Sequence, residues 1–265
     1  MLMSEGLDKL AGAIGDTLKT APTLYEDALQ QTTQESGKTL ALIPRAINAA
    51  LVPLRQWITE REYKLAETEK LLAQKLEHVG EDKIVTPEAY VAVPAIQAIS
   101  YSMDSKELRN LYANLLAKAM NSDTKDRVHP SFVEMIKQMS PTDALIFSEI
   151  IIEPIRPIIS INVISPDGGK ESFAENCSWI SNISLTTCRT SFDNLSRLGL
   201  IEIPSGMSYI ETSNYNSVKN NPLFIQAEIE CINTLSGGKS IAYDEQHIKI
   251  NELSKLFYDV CVKNS

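Results

Sequence analysis

The chain has 265 residues, 22% charged, 43% hydrophobic and 6% aromatic, a composition that builds one large or two small globular domains and excludes a disordered tail. Its 25 basic and 34 acidic residues leave a formal charge of −9, which argues against a sequence-independent grip on nucleic acid as the main activity. Cys177, Cys188, Cys231 and Cys261 stand far apart with no CxxC pair, so neither a disulfide framework nor a zinc site is expected, and with no secretory leader read at Met1 the expected location is the cytoplasm.

In chain order, Leu7, Leu10, Ala11, Ile14 and Leu18 form an apolar helical stripe that Gly6, Gly12 and Gly15 weaken. The apolar run from Thr39 to Trp57 is broken by Pro44, Arg45, Pro53 and Arg55 and falls short of the roughly 20 residues a spanning helix needs. Thr59-Glu60-Arg61-Glu62 reads as a capping box and Gly80 as a stop, enclosing a helix with a core face of Tyr63, Ala66, the Lys70 stem, Leu71 and Leu76. A helix is predicted from Thr86-Pro87 with a kink at Pro94. Asp104-Ser105-Lys106-Glu107 then caps a buried helix carrying Leu108, Leu111, Leu115 and Leu116. After a polar loop, His129-Pro130 opens a helix with Phe132, Met135 and Ile136 inside, and Ser140-Pro141-Thr142-Asp143 opens the next.

Beyond Ser140 the pattern changes to β-branched runs with glycine turns. The spacing predicts a helix over 141–151, a strand over 157–164, a turn at Asp167-Gly168-Gly169, a short helix around 172–181 and a longer one over 185–198. Strands are predicted over 200–203 and 207–212, and a strand over 241–250 and a helix from Asn251 close the chain. The expected fold is therefore α+β and mostly α. A helical domain covers 1–140, with 1–36 as a loosely attached amphipathic arm, and a winged-helix-like α/β domain with an extended C-terminal strand and helix covers 141–265. The first part holds 16 basic and 19 acidic residues, the second 9 and 15, giving −3 and −6. Neither is a basic module.

Few motifs point to chemistry. Gly37-Lys38-Thr39 ends like a phosphate-binding loop, but residue 32 is threonine and no strand precedes it. His78, His129 and His247 have no ligand spacing, and Pro130 gives His129 a capping or positional role. Ser184 and Thr190 lack a nucleophile elbow. The cysteines sit in apolar neighbourhoods, as small buried hydrophobes do. No catalytic constellation and no cofactor are expected. On the helix in the recognition position, Arg189, Asn194 and Arg197 could meet a nucleic-acid groove, but Asp193 lies among them and their half carries −6.

Several segments together resemble one family. They are Lys83-Ile84-Val85-Thr86-Pro87, Ile96-Gln97-Ala98-Ile99-Ser100-Tyr101, Glu107-Leu108-Arg109-Asn110-Leu111-Tyr112-Ala113-Asn114-Leu115-Leu116, and the run from His129-Pro130-Ser131-Phe132 to Ser140-Pro141, with Leu195-Leu198-Gly199-Leu200-Ile201 and Leu253, Phe257 and Cys261 behind. They resemble the abortive-infection alpha family of bacteria and their prophages from roughly Ala41 to the closing helix. Asn251-Glu252-Leu253-Ser254-Lys255 departs from it, standing where a threonine-and-glycine helix start is expected. The resemblance implies a protein that limits phage spread by stopping or killing the infected cell. It brings no catalytic residues, and leaves Arg109, Asn114, His129, Pro130 and Glu134 as candidate interaction residues. The expected mode is non-enzymatic recognition of a protein partner or phage component, with homo-oligomerisation open. The alternatives are a membrane-active effector using the apolar N-terminal segment and a winged-helix DNA-binding regulator.

Overall fold

The computed structural model describes residues 47–49, 62–102, 104–178, 180 and 183–263. The Leu7–Leu18 stripe, the Gly37-Lys38-Thr39 motif, nearly all of the Thr39–Trp57 run and Thr59 lie outside them. After helical residues 47–49, the described residues continue with α1 (Glu62–Lys75), α2 (Ala89–Tyr101), α3 (Lys106–Ala119), α4 (Ser131–Lys137) and α5 (Pro141–Ile152). Strands β1 (Pro157–Ile164) and β2 (Lys170–Cys177) follow, then α6 (Leu185–Arg197), α7 (Asn216–Lys219), α8 (Pro222–Thr234), β3 (Ser240–His247) and α9 (Glu252–Phe257), which runs into a π turn at Tyr258–Val262. The protein is α+β and mostly helical.

The helix starts follow local chemistry. Ser105 Oγ accepts from Leu108 N at 3.3 Å. Ser140 Oγ accepts from Asp143 N at 3.1 Å while Asp143 Oδ2 takes Ser140 N at 2.7 Å, a complete capping box. At the departure from the family pattern, Asn251 Oδ1 accepts from Ser254 N at 2.9 Å and Ser254 Oγ accepts from Asn251 N at 3.2 Å, so asparagine and serine cap α9 reciprocally. Gly199 (φ +72°) ends α6, with Leu200 N bonded to Leu195 O and Gly199 N to Ser196 O, both at 2.9 Å. This paired closure places the left-handed residue just beyond the helix.

Two helix boundaries and one helix face differ from expectation. The first helix ends at Lys75, before Gly80, whose φ of −58° opens a short 3-10 turn instead. Of the expected core face, Leu76 is buried and Leu71 packs against the core, but Lys70 is exposed and the buried line runs through Thr68 and Leu72, on the side that α2 and α3 cover; the side chains of Tyr63 and Ala66 lie outside those described. The second helix starts at Ala89 and continues across Pro94.

The sheet corrects the sequence more deeply. Its order is β2-β1-β3, antiparallel throughout. Of the residues expected as a helix around 172–181, those up to Cys177 belong to strand β2: the Asp167-Gly168-Gly169 turn, with Gly168 at φ +86°, returns the chain beside β1, and pairing the buried backbone of β1 outweighs local helix preference. A shift of register near Asn176 (φ 53°) marks a bulge. The strands expected at 200–203 and 207–212 do not form. Glu202 makes one isolated bridge to Lys249, Pro204 removes a donor, and 207–212 has no strand partner, with Ile210 fully exposed.

β1 separates two cores by its alternation. Ile158 joins a large cluster that takes residues from both sides of position 140, among them Leu72, Ile96, Leu115, Phe147 and Phe192. Ile159, Ile161 and Val163 face the other way, onto Tyr215, Phe224 and Cys231. The closing helix plugs the first core: Phe257 meets Phe132 and Phe147 edge-on, with ring centroids 5.3 and 5.5 Å apart.

Candidate functional site

The five candidate interaction residues do not converge on one cavity. Asn114, in the buried middle of α3, donates through Nδ2 to Cys261 O at 2.9 Å and Val262 O at 3.2 Å. A π turn leaves terminal carbonyls without helical donors, and this amide supplies them. Arg109 is half-buried on the same helix. His129 Nδ1 accepts from Ser131 N at 3.2 Å and lies 2.6 Å from Ser131 Oγ, so the ring caps α4 while Pro130 occupies its N-cap position. Glu134 is exposed, 3.7 Å from Lys137. With burial as the larger cause, its charge helps push the Tyr112 hydroxyl well above its ordinary range.

The residues offered for nucleic acid are engaged within the protein. Arg189 pairs with Glu175 on β2. Asn194 Nδ2 donates to Gln138 O and to Asp143 Oδ2, both at 2.9 Å. Arg197 reaches Asn194 Oδ1 at 2.7 Å and Gln138 Oε1 at 2.8 Å. Together Asn194 and Arg197 bolt α6 onto the α4–α5 junction.

All four cysteines are free and buried. Burial pushes the thiols of Cys177 and Cys188 up to about 11 and that of Cys261 well above its ordinary value. Such thiols pack as apolar groups and are poor nucleophiles. Among the described residues no group of three or more His, Cys, Asp or Glu side chains is placed to hold a metal. No described helix is long and apolar enough to cross a membrane.

One surface stands out. On α8, Phe224 and Cys231 face inward, while Ile225, Ile229 and Ile232 are 41%, 51% and 49% exposed. Their i, i+4, i+7 spacing puts the isoleucines in one outward line. Tyr243 of β3, 40% exposed, lies beside them and donates its hydroxyl to Glu228. The only charged residues of α8 are Glu228 and Glu230, so the apolar line has acidic flanks. The isoleucine spacing could have revealed this face from sequence alone.

A cavity of about 580 Å³ lies elsewhere, between the end of α5, the residues after β3, and α9 with its π turn. Arg156, Lys249 and Lys255 line it beside Tyr209 and His247. No local motif joins these residues; the β1–β3 register and the folding of 209 onto that edge do.

Comparison with known proteins matches the family model described as abortive infection alpha to residues 60–261. The chain belongs to that family. No curated protein and no solved structure matches it. The segments that carry the family likeness meet in the fold: Asn114 of the α3 segment, Phe132 of the His-Pro segment, and Phe257 and Cys261 of the closing helix form one linked set. In this abortive-infection alpha protein, the family pattern is to that extent a pattern of core and clamp residues.

Proposed function

We propose that this abortive-infection protein works without catalytic chemistry, by binding a protein partner or phage component through the exposed face of α8. The observation that carries the reading is the line Ile225, Ile229 and Ile232 beside Tyr243, flanked by Glu228 and Glu230. A basic amphipathic helix suits such a face, its apolar side on the isoleucines and its lysines or arginines against the acids. The −6 charge of residues 141–265 favours the same class of partner. The capping role of His129 and the raised thiols of Cys177 and Cys188 support a non-enzymatic mode, and the internal bonding of Arg189, Asn194 and Arg197 supports protein over DNA.

The test is phage plating on cells expressing wild type or the Ile225→Asp/Ile229→Asp variant, with circular dichroism to verify folding. A folded variant should lose protection. Equal protection by the two would sink the reading, and a dimer dissociated by the variant would identify the occupant as a second copy of the chain.

A further inference from the structure

The cavity carries a proposal that does not depend on the α8 face. The β1–β3 register sets Pro157 opposite His247, and Ile248 N donates to Arg156 O at 2.8 Å, so residues 90 positions apart share one wall. Three of the nine basic residues in 141–265 line this one space. The only carboxylate among its lining residues, Asp259, is already held by Arg127 at 2.8 Å. Lys249 and Lys255 pair with Glu202 at 3.1 Å and Glu252 at 2.6 Å, but all four side chains are 46% exposed or more, and such surface pairs are weak and exchangeable. Arg156 has no carboxylate within ion-pair distance among the described residues; its guanidinium donates to the carbonyls of Ile150 and Ile151.

The inner wall is aromatic and partly unsatisfied. The Tyr209 and His247 rings lie 5.0 Å apart at 42°. Tyr209 accepts from Arg156 N at 3.0 Å, leaving its hydroxyl hydrogen to donate. His247 Nδ1 is buried without a partner among the described residues. Ile151, Ile248 and Ile250 complete an apolar surface. The volume of about 580 Å³ falls within the range of small-molecule sites. Exposed ammonium groups suit a multi-oxygen dianion, and a planar ring with polar edges stacks on the paired Tyr209 and His247 rings and can take the Tyr209 hydroxyl hydrogen at its edge.

We propose that this cavity binds a small phosphorylated nucleoside, with Lys249 and Lys255 on the phosphate and Tyr209 and His247 against the base. The bound molecule bridges β3, α9 and the π turn, so it tightens the closing segment on the rest of the fold.

Titration calorimetry and thermal melts of the full chain test this with AMP, GMP, CMP and UMP against their nucleosides and inorganic phosphate. At least one monophosphate should bind saturably and raise the melting temperature, with its nucleoside and inorganic phosphate at least about tenfold weaker. Lys249→Gln/Lys255→Gln, a change of exposed side chains that leaves the core intact, should weaken binding by at least about tenfold, because the amides keep hydrogen-bond donors but lose both charges. Lys239→Gln and Ile225→Asp/Ile229→Asp should bind as wild type does, which separates this site from the α8 face. Binding of none of the four monophosphates, inorganic phosphate as tight as the best nucleotide, or a double lysine variant as tight as wild type would each overturn the proposal.

Discussion

Asn114 shows how one buried amide can hold together parts of a chain almost 150 residues apart. Its two bonds reach carbonyls of the π turn, and removing them leaves Cys261 O and Val262 O without these donors inside the protein. Asn114→Ala should therefore cost about 2 kcal/mol in urea denaturation, with early loss of protection in the closing segment by hydrogen exchange. A residue serving only a partner would leave stability unchanged. The buried thiols make a second prediction at this scale. Unfolded, Cys177 and Cys188 ionise near 9.0; in the fold burial raises both to about 11. Between those values the native chain keeps protons that the unfolded chain has released, so these thiols erode stability as pH rises through that window and leave it untouched below. Denaturation midpoints under reducing conditions should fall less steeply over this range in Cys177→Ala/Cys188→Ala than in wild type. The identity of such residues was legible as apolar or capping from sequence. Their partners were not, because a hydrogen bond spanning 147 positions leaves no local trace.

At the scale of elements, helix termini were the most readable features. Ser105, Ser140 and Asn251 act within three residues of themselves, and local chemistry suffices to place them. Gly199 belongs with them. At φ +72° it closes α6, and an added Cβ would meet only Leu253 Cδ2 at an ordinary 3.7 Å, so the cost of Gly199→Ala is conformational. It should destabilise by about 1 kcal/mol in chemical denaturation, and Gly199→Asn by less, since asparagine tolerates the left-handed region. The sheet was much less readable. β2 carries no strand-like alternation strong enough to displace a helical reading; it is a strand because the turn at Gly168 hands it to β1. The segment 207–212 shows the converse, a strand-like stretch without a strand to pair with.

For the whole molecule, the decisive contact is the closing helix in the core. Phe257 touches Phe132 and Phe147 and is fully buried, so it joins α4 and α5 to the end of the chain. Phe257→Ala should cost about 3–5 kcal/mol, a large share of a typical domain's stability, and thermal melts should show a single lowered transition in place of independent loss of one part. The candidate sites divide along the same line. The α8 face lies on one helix and its isoleucine spacing is written in order. The cavity needs residues from 156, 209, 247 to 249 and 255, and only the register of β3 on β1 brings them together. By itself, then, the sequence determined the mostly helical α+β class, the helix starts at Ser105, Ser140 and Asn251, the apolar burial of the cysteines and the family, all of which rest on interactions within a few residues or on composition. Tertiary structure alone decided the sheet order, the clamp on the π turn and the convergence of three cations on one aromatic wall, because each depends on which distant segment arrives to satisfy a buried backbone or a core face.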